Sequence, residues 1–338
     1  LARSIGNCCL LDHGRRARYQ TGGPIWTREI AMKANTKMLY VVLLAAAIVA
    51  PLVGAYPVFL MKALCFALFA CAFNLLVGFT GLLSFGHAAF LGTGGYVAGY
   101  AIKSMGLPFE ISIIAGVIAA AAIGYLVGSL AIRRQGIYFS MITLALSQLI
   151  YFIYLQAPFT GGEDGIQGIP RGKLLGMIDL ENDLVFYYVV LAIFLFGFWL
   201  VYRTIHSPFG QVLKSIRENE PRAISLGYDV DKYKLLAFVI SAGLAGLAGS
   251  TKTISLHLAS LTDVTWQASG EVVLMTLLGG LGTILGPVVG AIIVVTLQNY
   301  LASYGSWVTV IMGVIFVVCV LAFRRGVVGE LRAAFNRP

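Results

Sequence analysis

RTIHSPFGQVLKSIRENEPRAISLGYDVDKYK, residues 203–234, is a polar interruption between two apolar runs, 184–202 before it and 235–251 after it. It holds six basic and four acidic residues, interspersed rather than grouped by sign. Ser207 followed by Pro208 reads as an N-cap and first helical position. From there Phe209, Leu213 and Ile216 recur at i, i+4 and i+7, which places one apolar stripe on a short helix. Gln211, Lys214, Arg217 and Glu218 take the opposite face. Pro221 discourages the helix from running on, and Gly227 is predicted to stop a second short helix over 222–226. A solvated connection between membrane spans is the plainer reading. A capped amphipathic helix needs something to cover its stripe, however, so the stretch is read as a docking element.

The surroundings of that stretch define the class of protein. Hydrophobic residues make up 59% of the chain, charged residues only 12%, and the mean hydropathy is +0.86. A soluble domain carries about a quarter charged residues, and several runs here exceed the roughly 18 apolar residues that mark a spanning helix. Alternation of polar and apolar positions is absent, which argues against an outer-membrane barrel. The net charge of +9 does not point to nucleic acid, because the basic residues sit in short segments between apolar runs, where they set topology. Cys8, Cys9, Cys65, Cys71 and Cys319 have no metal or redox spacing; the last three read as small buried hydrophobes. His13, His87, His206 and His257 form no ligand cluster.

Ten apolar segments are expected to span, near 38–55, 57–78, 86–104, 110–131, 137–157, 184–202, 235–253, 269–284, 287–303 and 306–323. With the N-terminus in the cytoplasm, alternation puts Arg3, Arg15, Arg16, Arg18, Arg28, Lys33, Lys37, Arg133, Arg134, Arg203, Lys214, Arg217, Arg222, Lys232, Lys234, Arg324, Arg325, Arg332 and Arg337 on the inner side, 19 of the 24 basic residues. That bias assigns both termini and 203–234 to the cytoplasm. The longest outer connection, 158–183, receives Glu163, Asp164, Asp179, Glu181 and Asp183. Residues 1–37 form a polar N-terminal segment, partly non-native or disordered, with Met32 as the expected start. Residues 38–325 form the transmembrane domain, and 326–338 a cytoplasmic tail. Glycines three or four apart, at 92, 95 and 99, at 124 and 128, and at 282, 286 and 290, are expected to let helix backbones approach closely. Pro287 after Gly286 marks a break or a kink.

Polar groups inside spans are costly and therefore informative. Asn74, Ser84, His87 and Gln148 are candidates for a solute path, with Glu271 at the opening of the eighth span. Each can also serve as a hydrogen bond between helices, and Glu271 as an acid favoured in a first helical turn. Charged residues within the spans (Lys62, Lys103, Glu110, Lys252, Glu271) all lie near predicted ends, which argues against a midplane proton relay. The sequence contains no G-x-S-x-G, H-E-x-x-H or phosphate-loop pattern. Uphill transport driven by a nucleotide would thus require a separate ATPase, and the apolar-striped helix is what such a partner could grip.

Four ordered stretches resemble one known family. AFNLLVGFTGLLSFGHAAFLGTGGYVAGY (72–100) is similar to the signature of branched-chain amino acid ABC importer permeases, and TGGEDGIQGIPRG (160–172) to the external connection of the LivM-type member of that pair. IRENEPRAISLGYDVDKYKLLAFVISAGLAGLAGS (216–250) resembles the coupling loop and the helix after it, and LLGGLGTILGPVVGAIIVV (277–295) the C-terminal glycine-rich motif. The resemblance covers about 38–325 and implies an all-α integral membrane protein, a polytopic bundle of about ten transmembrane helices of the ABC importer permease type. It also implies the partners: a second, LivH-type permease subunit, two cytoplasmic ATP-binding subunits and a periplasmic substrate-binding protein, in the inner membrane lipid bilayer and without a cofactor. Coupling would fall on Glu218, Asn219, Glu220, Ala223 and Gly227, supported by Phe209, Leu213 and Ile216. Pro221 and Arg222 stand where the general pattern has a smoother helix. Urea and short-amide importers carry nearly the same motifs and form the alternative. A stand-alone secondary carrier is disfavoured by the missing midplane charges.

Overall fold

The computed structural model describes residues 44–329 apart from 46, 52–53, 55, 175–177, 303–304, 306, 323–325 and 327–328. The N-terminal expectations (1–37, Cys8, Cys9, His13, Met32), most of the first span and most of the tail lie outside the described residues, as does the side chain of Cys319. Two units divide the chain, Leu1–Gly54 and Ala55–Pro338. In the first, residues 44–45 and 47–49 are helical; everything below concerns the second.

Long apolar runs free of interior proline give α1 (Pro57–Thr80), α2 (His87–Lys103), α3 (Phe109–Ala131), α4 (Ile137–Gln156) and α5 (Asp183–His206). Two short polar helices follow, α6 (Pro208–Glu218) and α7 (Glu220–Ser225). Then come α8 (Val230–Leu256), α9 (Trp266–Gly279), α10 (Gly286–Leu301) and α11 (Trp307–Ala322). Among the described residues these nine apolar helices match nine of the ten expected segments. Five of them, α1, α3, α4, α5 and α8, are each long and apolar enough to cross a membrane; the 24 residues of α1 reach about 36 Å against a hydrocarbon core of about 30 Å.

The centre is α8 packed on α1, α2 and α3. Small residues make that packing possible. A Cβ on Gly249 would lie 1.8 Å from the Leu91 carbonyl oxygen, and one on Gly246 would lie 2.4 Å from the Ala120 methyl. Among the glycines singled out by spacing, a Cβ on Gly124 would lie 2.4 Å from the Ala242 methyl and one on Gly290 1.8 Å from the Met275 carbonyl oxygen, so these too let helices approach closely. Around this centre α3, α4 and α5 turn large apolar side chains outward, among them Ile118, Leu126, Phe152, Phe196 and Trp199. Such a surface suits lipid rather than water.

Polar segments gather at the two ends of the bundle. At one end the 158–183 connection folds into short strands. β1 (Ile166–Gln167) pairs antiparallel with β4 (Leu258–Ala259), which directly follows α8, and β2 (Lys173–Leu174) pairs with β3 (Ile178–Asp179). Three single turns of 3-10 helix, Pro158–Thr160, Gly162–Asp164 and Leu261–Val264, complete this strand end. Lys103 at the end of α2 reaches it, donating to the Gln167 carbonyl at 2.7 Å. The opposite, helix-pair end carries α6 and α7. It also carries the break between α9 and α10, where Gly280 and Gly282 adopt φ of 115° and 73°. The expected break at Pro287 is thus real, and Pro287 opens α10 just beyond it.

Candidate functional site

Ser207 caps α6 as read from sequence, its Oγ accepting the Gly210 N–H at 3.3 Å. The apolar stripe forms too, but it does not wait for a separate protein. Leu213 and Ile216 are buried within the chain, Ile216 in one cluster with Ala223 and Val230 against Val212 and Tyr233. Phe209 stacks on Tyr233 with ring centroids 5.6 Å apart. The expectation that the stripe needs an outside partner is therefore corrected: α7 and the start of α8 cover it, because the chain folds back at residue 219.

That fold-back also answers what Pro221 does. Asn219 leaves helical geometry (φ −155°, ψ 93°), and its side chain accepts the Arg222 N–H at 3.1 Å, which makes it the N-cap of a new helix. Pro221 sits in the first turn of that helix, where its missing N–H costs nothing. It starts α7 instead of bending α6. At the other end Gly227 has φ 87°, the Gly227 N–H reaches the Ile224 carbonyl at 2.9 Å, and the Tyr228 N–H reaches the Ala223 carbonyl at 3.2 Å. These two bonds form a Schellman stop, with Gly227 two residues past Ser225, the last of the helix.

Three ties fix the helix pair to the bundle. The Arg217 guanidinium donates to the Gly78 carbonyl near the end of α1 and lies against Gly81 and Gly282, neither of which has a side chain in the way. Lys234 is buried and pairs with Glu220 at 2.7 Å. Gln135, between α3 and α4, donates to the same carboxylate at 2.8 Å. Asp229 caps α8, and the hydrogen bond from the Lys232 ammonium holds its carboxyl below the usual carboxylate range. The residues that remain exposed include Glu218, Asn219, Pro221, Arg222 and Gly227, together with three apolar residues, Ile224 (57% exposed), Leu226 (67%) and Tyr228 (38%). Sequence reading did not single out these three. The available signal was that a six-residue helix buries only one side, and Ala223 had already taken it.

The candidate path residues do not converge on one site. Asn74 is fully engaged with backbone: its Nδ2 donates to the Thr283 carbonyl at 2.8 Å and its Oδ1 accepts the Gly282 N–H at 3.0 Å, which pins the α9–α10 break to α1. Ser84 accepts the Gly86 N–H at 3.4 Å in the turn before α2. His87 is buried among Phe69, Phe73 and Phe90, at centroid distances of 5.8, 5.4 and 5.4 Å. The Ser241 hydroxyl donates to the Ala72 carbonyl, so at 3.1 Å it accepts from His87 Nε2. Nδ1 of His87 and Nε2 of Gln148 are buried without a partner among the described residues. Glu271 is half-buried on α9, facing Gln298 of α10 and within the field of Lys62, Lys252 and Asp263.

Among the described residues, nine apolar helices packed about a glycine-rich centre, with polar segments at both ends, define a multi-pass helical membrane protein. The family model described as "Branched-chain amino acid transport system / permease component" matches residues 56–321, and the chain belongs to that family. It is 28% identical over 272 residues to the high-affinity branched-chain amino acid transport system permease protein LivM of Escherichia coli, covering 73% of this chain and 64% of LivM. The probable branched-chain amino acid transport permease protein LivM of Methanocaldococcus jannaschii is 27% identical, over 60% of each chain. The ribose import permease protein RbsC of Bacillus subtilis is 29% identical over 55% of this chain and 58% of its own length. The chain thus spans less than two thirds of these relatives. No solved structure matches it.

Proposed function

We propose that the chain is the permease subunit of an ATP-driven importer for leucine, isoleucine and valine, working with a second permease subunit, two ATP-binding subunits and a substrate-binding protein. The observation that carries this reading is the helix pair α6–α7. It is tied to α1, α8 and the α9–α10 break, yet it presents Ile224, Leu226 and Tyr228 outward at a polar, basic end of the bundle. An apolar face held rigidly in place is suited to receive another protein and pass its movement into the helices behind it. Lys214, Arg217, Arg222, Arg203, Arg133 and Arg134 share this end, which the positive-inside rule assigns to the cytoplasm, where ATP is available. The coupling assignment accordingly shifts from the stripe of α6 to α7 and residues 224–228, with Glu218, Asn219 and Gly227 at its edge. Phe209, Leu213, Ile216 and Ala223 act as the support beneath.

Reconstitution tests the reading. Proteoliposomes that hold both permease subunits, the ATP-binding subunits and the binding protein are expected to take up leucine only with ATP, and to take up none when the ATP-binding subunits are omitted. Uptake without them would establish a stand-alone carrier instead. Labelled leucine that unlabelled urea displaces as well as unlabelled isoleucine does would overturn the substrate assignment.

A further inference from the structure

At the strand end of the bundle, charges on α1, α8, α9 and the turn after α8 lie near one another. Lys252 of α8 is ion-paired with Asp263, their side chains 10% and 16% exposed, and its ammonium lies 4.9 Å over the Phe66 ring. That pair neutralises itself. Lys62 of α1 and Glu271 of α9 stand beside it, each within the field of both its members and of the other. Yet they are not in ion-pair contact with each other: Glu271 shares a side-chain hydrogen bond with Gln298, and among the described residues Lys62 has neither a hydrogen bond nor an ion pair. Both are half-buried. A half-buried ammonium and carboxylate in the membrane are costly unless something matches them.

The backbone beside Glu271 is open. Gly270 precedes Glu271 in the second turn of α9, where alanine would favour the helix by about 1 kcal/mol, and a Cβ built there meets nothing within 4 Å. Leu274 lies on the same face, one turn along from Gly270 and Glu271. A positive group, a negative group, an open shelf and an apolar neighbour together match one kind of small molecule. A neutral amide such as urea has no use for two opposite full charges, and a sugar has none either.

We infer that Lys62 and Glu271 seat the two charged ends of a zwitterionic amino acid at the strand end of the path, Lys62 taking its carboxylate and Glu271 its ammonium, with an aliphatic side chain along Leu274. This rests on the reading of the chain as an amino acid permease. No bond is made or broken; the substrate exchanges water for two matched partners and is released when the helices move.

The test uses the complete transporter in proteoliposomes. A wild-type complex that moves ribose or urea but no amino acid overturns the proposed function along with this site. Given wild-type leucine uptake, Lys62→Met and Glu271→Gln are each expected to lower it about tenfold, the loss of one charged hydrogen-bonding partner. ATP hydrolysis stimulated by the loaded binding protein should persist in both, and the double exchange Lys62→Glu with Glu271→Lys should restore most of the uptake. Wild-type uptake in both single variants overturns the inference, and so does hydrolysis that falls in step with uptake, which marks a merely structural pair. Should a charge variant fail to assemble, Gly270→Val decides, since it removes no charge and fills the shelf. Slowed leucine uptake by that variant supports the site, and wild-type uptake overturns it.

Discussion

At each end of the bundle an arginine donates to backbone carbonyl oxygen at or near the end of a helix, and the two arginines hold different things. Arg171, 4% exposed at the strand end, pairs with Asp183 at 2.6 Å, donates to the carbonyls of Glu181 and Ser255 at 3.3 and 3.2 Å, and lies over Phe186. It closes a connection onto the helices, and the half-exposed Phe159 of that connection packs edge-on against Tyr100 of α2. Arg217 is itself exposed, reaches one carbonyl, and braces a helix pair whose far side shows Ile224 and Leu226 to the surroundings. The first arrangement finishes a fold. The second holds a surface ready for something else, and burial of the clamp distinguishes them.

The largest effect is expected where the clamp is buried. Arg171→Met leaves the Glu181 and Ser255 carbonyls without their charged partner and Asp183 unpaired. Asp183 is 45% exposed, so water recovers part of the loss. The cost is expected at about 3 kcal/mol, read as a lower thermal midpoint of the purified protein in detergent. ATP-coupled uptake per folded molecule should hardly change. A variant as stable as wild type would mean that the strand end is not closed by this residue.

Gly227→Arg is the corresponding change at the helix-pair end. Nothing lies within 4 Å of a Cβ there, so the new side chain has space, and the penalty is confined to the positive φ of 87°. It is expected at about 1–2 kcal/mol, enough to loosen the Schellman stop without preventing membrane insertion. Leucine uptake by the complete transporter should nevertheless be lost, because residues 224–228 no longer hold their positions. Normal uptake would break the contrast between the two ends. Asn219→Ala, which removes the cap between α6 and α7, is expected to cost about 1 kcal/mol and to reduce uptake only in part.

How far the sequence went can be argued from the same residues. The helices were legible because a run of some twenty apolar residues has few alternatives. The caps at Ser207 and Gly227 were legible because short polar side chains and glycine do local jobs. The stripe of α6 was legible as a stripe, but not what covers it: Ala223 and Val230 meet Ile216 only once Asn219 turns the chain, and no periodicity records a contact made across a turn. Asn74 and His87 stood out as polar groups in apolar helices, yet their partners, Thr283, Gly282 and Ser241, are far along the chain. The same gap hid Lys62 and Glu271 as a pair, since α1 and α9 are neighbours only in the folded bundle.

The smallest change in stability should separate the two ends most sharply. Ile224 and Leu226 are 57% and 67% exposed, and replacing both with aspartate removes little that the isolated chain buries. Their effect on the thermal midpoint is expected to stay within about 0.5 kcal/mol. Two new carboxylates on a face meant for another protein should weaken that contact strongly, through desolvated charge rather than lost folding. The measurements are co-purification with the ATP-binding subunits and ATP-driven leucine uptake, both expected to fall while the midpoint stays put. Like substitutions at Leu258 of the strand end, also partly exposed, should leave both unchanged. If the double variant still assembles and transports, the exposed face of α7 is not where the ATP-binding subunit sits, and exposure at this end carries no more meaning than it does at the other.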